Sequence, residues 1–300
     1  MTKEPKYIDT HAHLQFSNFD GDREEVIERT LNFGMWVVNS GSNSKTSKKA
    51  IEIAENYKEG VYATVGIHPS HAKISNLKSQ NLKLQPKTDN LDNNEITEES
   101  GVEDFDGEKM RMLAAHPKCV AIGECGLEYF SSGEAIDNSN EQEEMFLQHI
   151  ELASEIKKPL VIHCRNAYAD TIRILKENRN KLLDDRPGVM HFFSGTEGDM
   201  YELLDLGFIF SFGGAITFSP KKGQEDIAGL VYKAPFEAIM LETDCPFVAP
   251  VPYRGKRNEP LYAIETAKKI AEIKNMSLEE VADITTGNAL RFFAIGDATR

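Results

Sequence analysis

The stretch Tyr7-Ile8-Asp9-Thr10-His11-Ala12-His13-Leu14 carries the pattern from which the fold and the chemistry of this chain can be predicted. Its apolar start and its two histidines at i and i+2 indicate a β-strand that presents both imidazoles on one side, because side chains alternate between the faces of a strand. Imidazole nitrogens are common ligands of borderline metal ions. The pair therefore predicts half of a metal coordination shell.

Strand-like and helix-like segments alternate along almost the whole chain. Short apolar runs predict eight strands, at 7–14, 35–39, 61–66, 120–124, 160–163, 188–191, 208–212 and 238–244. Helical spacing of apolar residues predicts helices at 22–33, 44–57, 107–115, 141–157, 169–177, 199–206, 226–232, 262–273 and 278–293. Eight such units predict an α/β fold of the (β/α)8 TIM barrel type. A doubly wound open sheet is the alternative, although no Gly-x-Gly-x-x-Gly follows the first strand.

Ligand-type residues end five of the predicted strands. The carboxyl ends of barrel strands meet at one face, where these enzymes build their active sites. Four histidines and two carboxylates are too many for one tetrahedral ion, and they suit two ions that share a carboxylate. His68 follows the third strand and is expected at the same face, in contact with substrate. The six predicted metal ligands are His11, His13, Glu124, His163, His191 and Asp244.

The composition narrows the classes of protein. A formal charge of −14 argues against adhesion to DNA or to anionic membranes through net charge, but it does not exclude a nucleic-acid substrate. The sequence shows no signal-peptide h-region and no 18-residue apolar run, so we expect a cytoplasmic protein without a membrane span, or a nuclear one in a eukaryote. The four cysteines are expected to be reduced, and the three that directly follow a predicted ligand should point away from the barrel mouth: Cys125, Cys164 and Cys245. Three further histidines are expected at the surface: His71, His116 and His149.

One segment interrupts the alternation. Residues from about 75 to 106 are rich in Asn, Lys, Asp, Glu and Ser and contain few large apolar side chains. Such a segment buries too little apolar surface to offset its ordering entropy, so it predicts a polar surface insertion. A lid over the active site is the alternative role. With this insertion, the whole chain is predicted to be one barrel domain over residues 1–300.

A series of motifs gives the chain a more specific resemblance. In order and spacing they resemble the successive motifs of the TatD family of metal-dependent deoxyribonucleases, a TIM-barrel branch of the amidohydrolase superfamily. Two positions depart from that family: Glu128 stands where Asp is usual, and Gln15 stands where Asp is common. The motifs are Asp9-Thr10-His11-Ala12-His13-Leu14, Gly66-Ile67-His68-Pro69, Gly123-Glu124-Cys125-Gly126-Leu127-Glu128-Tyr129, Val161-Ile162-His163-Cys164-Arg165, His191-Phe192-Phe193-Ser194-Gly195, Glu242-Thr243-Asp244-Cys245-Pro246, Arg254-Gly255-Lys256-Arg257-Asn258-Glu259-Pro260 and Thr285-Thr286-Gly287-Asn288-Ala289.

The resemblance implies a hydrolase that cleaves the phosphodiester bonds of DNA with two divalent ions, which would be Zn, Mn or Mg. An exonuclease acting on single strands is the expected form. One ion would be held by His11, His13 and Asp244, the other by His163 and His191, and Glu124 would bridge them. Water activated by the two ions would attack the phosphorus, with Glu124 and Asp244 as catalytic residues and Asp244 as proton acceptor.

Cationic and aromatic side chains on the predicted loops complete the expected site. Four of them should line the barrel mouth and bind phosphates: Arg165, Arg254, Lys256 and Arg257. Two aromatic side chains could stack on a base: Phe130 and Tyr253.

Two other functions remain open from the sequence. A metal-dependent hydrolase of a small ester, lactone or amide could use the same barrel, although many such relatives bridge their ions with a carbamylated Lys where this chain has Glu124. A metal-binding scaffold without catalysis is the other, and the complete ligand set counts against it. The oligomeric state is open, and a monomer is compatible with the sequence.

Overall fold

Eight parallel β-strands form the central sheet of the computed structural model, which describes residues 4–72, 102–131, 134–135, 138–219 and 226–296. Each strand pairs with the next one along the chain. The two ends of the sheet also meet, because the N–H of Asp244 donates to the carbonyl oxygen of His11 and that of His13 donates to Cys245, each at 2.8 Å. The strands are β1 Tyr7–Ala12, β2 Met35–Ser40, β3 Val61–Val65, β4 Cys119–Glu128, β5 Leu160–Arg165, β6 Gly188–Met190, β7 Ile209–Phe212 and β8 Ile239–Leu241.

Helices lie between these strands, so the predicted (β/α)8 barrel is confirmed. Local signals explain where several helices begin and end. The side chain of Asn43 accepts from the N–H groups of Lys45 and Thr46, and this N-cap contributes about 1 kcal/mol. The first helix ends at Gly34, which adopts a left-handed φ of 91°. In the described residues the helices are α1 Arg23–Phe33, α2 Ser44–Glu55, α3 Gly107–Ala114, α4 Ser139–Ile156, α5 Tyr168–Glu177, α6 Glu197–Asp205, α7 Ile227–Lys233, α8 Ala263–Lys274 and α9 Leu278–Phe293.

The alternation of side chains along the strands stacks the predicted ligands above an apolar layer. Val161, Val189 and Met240 pack into one buried cluster, which Phe292 and Phe293 of α9 join. Each of these three strand residues lies two positions before a polar residue of the site, so the polar side chain points to the same side of the sheet. The opposite faces of the strands pack against the helices. Period-2 alternation therefore supports the polar site on a closed apolar base.

Two strands differ from their predicted bounds in a way that changes the setting of a site residue. β4 continues to Glu128 instead of ending at Glu124, because Glu128 pairs with Arg165 of β5 and the side-chain amide of Gln142 bonds its backbone N–H and C=O, each at 2.8 Å. β8 ends at Leu241, so Asp244 lies on the loop that follows it. A short antiparallel hairpin, Phe130–Ser131 with Glu134–Ala135, follows β4.

Most of the predicted insertion at about 75–106 lies outside the described residues, and its surface position stays a prediction. The described end of the segment is tied to the barrel: the N–H of Glu103 donates to the carbonyl oxygen of His71, and Asp106 caps α3. None of the helices described is both long enough and apolar enough to cross a bilayer.

Candidate metal centre

The six predicted ligands lie together, buried, at the carboxyl ends of the strands. β1, β4 and β5 supply three of them, and the other three lie one to three residues after the ends of β1, β6 and β8. Their ligand atoms and those of His68 form three overlapping groups. These groups are His11–His13–Asp244, His11–Glu124–His191 and His68–Glu124–His163.

The first group has the spacing of ligands around one small ion. Nε2 of His11 and Nε2 of His13 are 3.2 Å apart. Oδ1 of Asp244 is 3.3 Å from Nε2 of His13 and 3.8 Å from Nε2 of His11. Ligands about 2.0 Å from a tetrahedral ion are roughly 3.3 Å from one another. The three side chains therefore need little movement to share an ion.

Glu124 connects this group to the other histidines. Its Oε2 is 3.3 Å from Nε2 of His11, whereas its Oε1 is 3.0 Å from Nδ1 of His163 and 3.2 Å from Nε2 of His191. The two oxygens of one carboxylate thus face two different sets of imidazoles. This is the arrangement that a carboxylate shared by two ions requires.

The far nitrogen of each ligand ring is bonded to a partner outside the cluster. Nδ1 of His13 donates to the carbonyl oxygen of Ser40 at 2.8 Å. Nε2 of His163 is 3.0 Å from Oε2 of Glu128, and Nδ1 of His191 is 3.3 Å from Oε2 of Glu242. Such bonds fix the tautomer and orientation of histidines that bind metals.

The buried carboxylates give the centre a preference for positive charge. Burial alone would raise the pKa of Glu124, but its interactions with the surrounding imidazoles, that of His191 first, hold that pKa well below its usual value. Burial alone would lower the pKa of His163, but its hydrogen bonds to Glu124 and Glu128 raise it to about 9.

These residues fit divalent ions. The donor set combines imidazole nitrogens with carboxylate oxygens, which suits Zn and Mn and does not exclude Mg. Each of the described ligand rings has one nitrogen directed to the cluster and the other held by the protein. The donor chemistry and the outer hydrogen bonds both agree with a metal centre.

Comparison with known proteins assigns the chain to a family. The family model described as TatD related DNase matches residues 8–294. The chain belongs to the TatD family. It is 38% identical over 289 residues to the metal-dependent hydrolase YabD of Bacillus subtilis, covering 96% of this chain and 99% of that protein. It is 40% identical over 196 residues to the metal-dependent hydrolase YcfH of Escherichia coli, covering 65% and 70%. The solved structure of YjjV, a TatD homologue from Escherichia coli, superimposes with a TM-score of 0.77 at 24% identity, covering 98% and 100%.

Two of the predicted substrate-binding residues lie against the metal centre of this TatD-family protein. Nε2 of His68 is 3.5 Å from Oε1 of Glu124. Nη1 of Arg165 is 3.9 Å from Oε2 of Glu128, and the Arg165 side chain is 45% exposed. Arg165 thus reaches from the rim of the site to the solvent.

The predicted cationic loop that follows β8 is arranged differently. Arg257 forms two hydrogen bonds of 2.7 Å with the carboxylate of Asp22, and it also donates to the carbonyl oxygen of Asn18. These bonds commit its guanidinium to the protein, so it cannot hold a phosphate without breaking them. The guanidinium of Arg254 lies over the ring of Phe218 at 4.1 Å, and the ammonium of Lys256 lies 5.9 Å from the ring of Tyr253.

The predicted base-stacking residues have different outcomes. Tyr253 stacks on Tyr262 with ring centroids 3.9 Å apart, so one of its faces is covered. The side chain of Phe130 lies outside the described part of the structure. Within the described residues, the cavity at the centre has other aromatic walls, Phe16 and Phe247.

Sequence reasoning missed three carboxylates that support the ligands. Glu128 and Glu242 contact ligand rings, as described above. Asp9 accepts from the N–H of Thr243 at 2.9 Å and from its hydroxyl at 2.6 Å, which ties β1 to the loop that carries Asp244. Asp9 and Glu242 each lie two residues before a predicted ligand, so period-2 alternation could have found them. Glu128 required the unexpected extension of β4.

One expectation about the remaining histidines was wrong. His149 is fully buried on α4 instead of exposed. His71 and His116 are half-buried: His71 lines the cavity, and His116 lies 3.1 Å from Glu55. The three cysteines that follow a ligand are buried, as expected if they point away from the barrel mouth: Cys125, Cys164 and Cys245.

Proposed function

We propose that this TatD-family hydrolase cleaves phosphodiester bonds of DNA, as an exonuclease on single strands, with two divalent ions. The observation that carries the proposal is the orientation of the Glu124 carboxylate. Its Oε2 faces His11, while its Oε1 faces His163 and His191. Two ions 3.5–4 Å apart are typical of phosphodiester-cleaving sites. The match to the family described as TatD related DNase supports DNA as the substrate.

The protein side of the mechanism begins with the ligands. We assign His11, His13 and Asp244 to one ion and His163 and His191 to the other, with Glu124 between them. Bound ions would lower the pKa of a water molecule and neutralise charge on the phosphate oxygens. Zn, Mn and Mg are the candidates.

Asp244 is placed to receive the proton of the attacking water. Its Oδ1 faces His13 and His11, which leaves Oδ2 as the oxygen that we assign to the proton. Its backbone is held by the 2.8 Å bond to the carbonyl oxygen of His11. An aspartate with a fixed backbone and one fixed carboxylate oxygen loses little entropy when its other oxygen accepts a proton.

His68 is placed to donate a hydrogen bond to the substrate. The N–H of Ser70 donates to Nδ1 of His68 at 3.2 Å, so the proton of the neutral ring lies on Nε2. Burial and the nearby His163 lower the pKa of His68 well below its usual value, which keeps the ring neutral. Its Nε2–H faces the Glu124 carboxylate and could turn to a phosphate oxygen. This tautomer favours a substrate contact over a metal ligand.

The shape of the site favours an unpaired strand. The ligands are buried at the base of a small cavity with walls that include Phe16 and Phe247. A phosphate inside a stiff duplex is poorly placed to reach ligands at the bottom of a cavity, whereas the end of a single strand can enter the cavity. Arg165 at the rim would hold a neighbouring phosphate.

The proposal can be tested with labelled oligonucleotides of one sequence, as single-stranded DNA, double-stranded DNA and RNA. Metal-free protein is loaded with Zn, Mn or Mg before each assay. We expect stepwise shortening of single-stranded DNA by the wild type and by Glu52→Gln, an exposed carboxylate on α2, but not by Glu124→Gln. Hydrolysis of lactones or amides, with no cleavage of any nucleic acid under any metal, would contradict the proposal and favour the amidohydrolase-type alternative.

A further inference from the structure

His149 lies outside the metal centre but is bonded to the loop that follows β3. Its Nε2 accepts from the backbone N–H of Ile67 at 2.9 Å, and its Nδ1 donates to the carbonyl oxygen of Met145 at 2.8 Å. The Ile67 N–H can only donate, so it sets the tautomer of the ring. Both ring nitrogens are therefore used, one within α4 and one across to the loop.

Ile67 directly precedes His68, and two consecutive backbone bonds hold this pair. The N–H of Ile67 is held by α4, and that of His68 donates to the carbonyl oxygen of Ser42 at 2.8 Å. The imidazole of His68 then lies 4.3 Å from that of His163, measured between ring centroids. A shift of the loop would move His68 relative to the ligands.

We propose that His149 is a positioning residue: it accepts the Ile67 N–H and thereby holds the His68 imidazole against the metal centre. The importance of this position for catalysis rests on the proposed function, in which His68 contacts the substrate. The position itself does not depend on that function.

The bond is costly to lose because both partners are buried. Ile67 is 1% exposed and His149 is 0% exposed, so removing the acceptor leaves an N–H without a partner away from water. The ring of Phe105 packs edge-on against His149 at 4.8 Å and offers an apolar edge on that side. The loop can satisfy its free N–H only by moving. Glutamine at position 149 would keep both an acceptor and a donor, whereas leucine would keep neither.

Three variants of the full chain, loaded with metal, separate positioning from general destabilisation. His149→Leu removes the bond, and His149→Gln restores an acceptor. Asn288→Leu is the matched control, because the buried Asn288 amide also forms hydrogen bonds with the backbone. It donates to the carbonyl oxygens of Phe236 and Ile239, each at 2.8 Å. These bonds lie at the amino end of β8, away from the metal centre. Each variant is measured for bound metal, for the ¹⁵N signals of the His68 imidazole, and for kcat and KM on a phosphodiester.

We expect His149→Leu to shift the His68 signals and to lower kcat by roughly 10- to 100-fold with unchanged metal content. His149→Gln should restore both, and Asn288→Leu should change neither. His149→Leu with His68 signals and kcat like those of Asn288→Leu would overturn the proposal. If the wild type cleaves no phosphodiester, the proposed function fails, while the His68 signals still test the position.

A measurement on the wild type covers the case in which His149→Leu does not fold. An N–H···N bond transmits a scalar coupling between its two nitrogens, so a ¹⁵N–¹⁵N coupling is expected between the amide of Ile67 and Nε2 of His149. A coupling there supports the proposal. Its absence, in a spectrum that resolves both signals, would contradict it.

Discussion

The wild type should lose stability relative to His149→Gln as the pH falls below neutral. Burial lowers the pKa of His149 to about 4 from 6.5, although its hydrogen bond to Met145 opposes the shift. Between these two values the unfolded chain binds a proton at this residue and the folded chain does not. The free energy of unfolding therefore rises with pH in that window, and acid removes stability. Glutamine has no proton to bind and is free of this effect.

The size of the effect follows from the shift in pKa. A difference of 6.5 to about 4 corresponds to a limit of about 3 kcal/mol, reached when the pH is below both values. At pH 5 the expected difference between wild type and variant is about 2 kcal/mol. His149 is fully buried, so solvent does not screen this effect.

Urea unfolding of both proteins from pH 7.5 to pH 4.5, with a chelator present throughout, measures this difference. The chelator removes the contribution of metal release at low pH, and the comparison of two chains with the same ligand cluster cancels the other titrating groups. We expect the stability of wild type minus that of His149→Gln to fall steadily with the pH. A difference that stayed constant, or that grew in favour of the wild type at pH 5, would refute the buried neutral imidazole.

Three further outcomes test the metal centre and its rim. Glu124→Gln should lower the occupancy of both ion sites, whereas His191→Gln should empty mainly one. Elemental analysis of the purified variants measures the number of bound ions. Two ions retained in Glu124→Gln would contradict the bridging role of Glu124. Chelation should lower the melting temperature by several degrees and zinc should restore it, because ions that bind only the folded state stabilise it. A melting temperature that does not change on chelation would argue against resident ions. Arg165→Gln should lower the slope of log affinity for DNA against log salt concentration by about one, because one phosphate contact is lost. Arg257→Gln should leave that slope unchanged, since the Arg257 guanidinium is bonded to Asp22. Equal effects of the two changes would contradict this assignment.

Strand alternation made the barrel and the meeting of the six candidate ligands predictable from sequence. His11 lies on β1 and His13 follows two residues later, and the other ligands each end a short apolar run. Because parallel strands bring their carboxyl ends to one face, local patterns were enough to predict that these residues meet. The structure brings them together with ligand-atom separations of 3.0 to 3.8 Å.

The partners of the ligands depend on long-range contacts that no local pattern encodes. Glu128 reaches His163 only because β4 continues along β5, which Gln142 of α4 supports from outside the sheet. Arg257 is engaged by Asp22, 235 residues earlier in the chain, so its sequence neighbourhood resembled a free cationic loop. These contacts arise from the closure of the barrel and follow from the fold.

The burial of His149 was predictable, although the expectation was wrong. It lies three residues after Phe146 and four before Ala153, both buried, so helical spacing places it on the apolar face of α4. The error came from assigning a polar residue to the solvent without asking which groups it could bond. A buried histidine on an apolar face predicts a backbone partner, since unpaired buried polar groups are costly.

The two polar residues buried on α4 explain why this helix matters to the site. Gln142 and His149 are seven residues apart, which is about two turns of helix. Gln142 bonds the backbone of Glu128 at the end of β4, and His149 bonds the N–H of Ile67 after β3. Each bond thus holds a segment next to a polar side chain of the centre, His163 in one case and His68 in the other. A helix that only packed against the sheet would bury leucine at these positions and would leave both segments free to shift. We therefore infer that α4 contributes hydrogen bonds that align neighbouring strand ends, in addition to its apolar contacts.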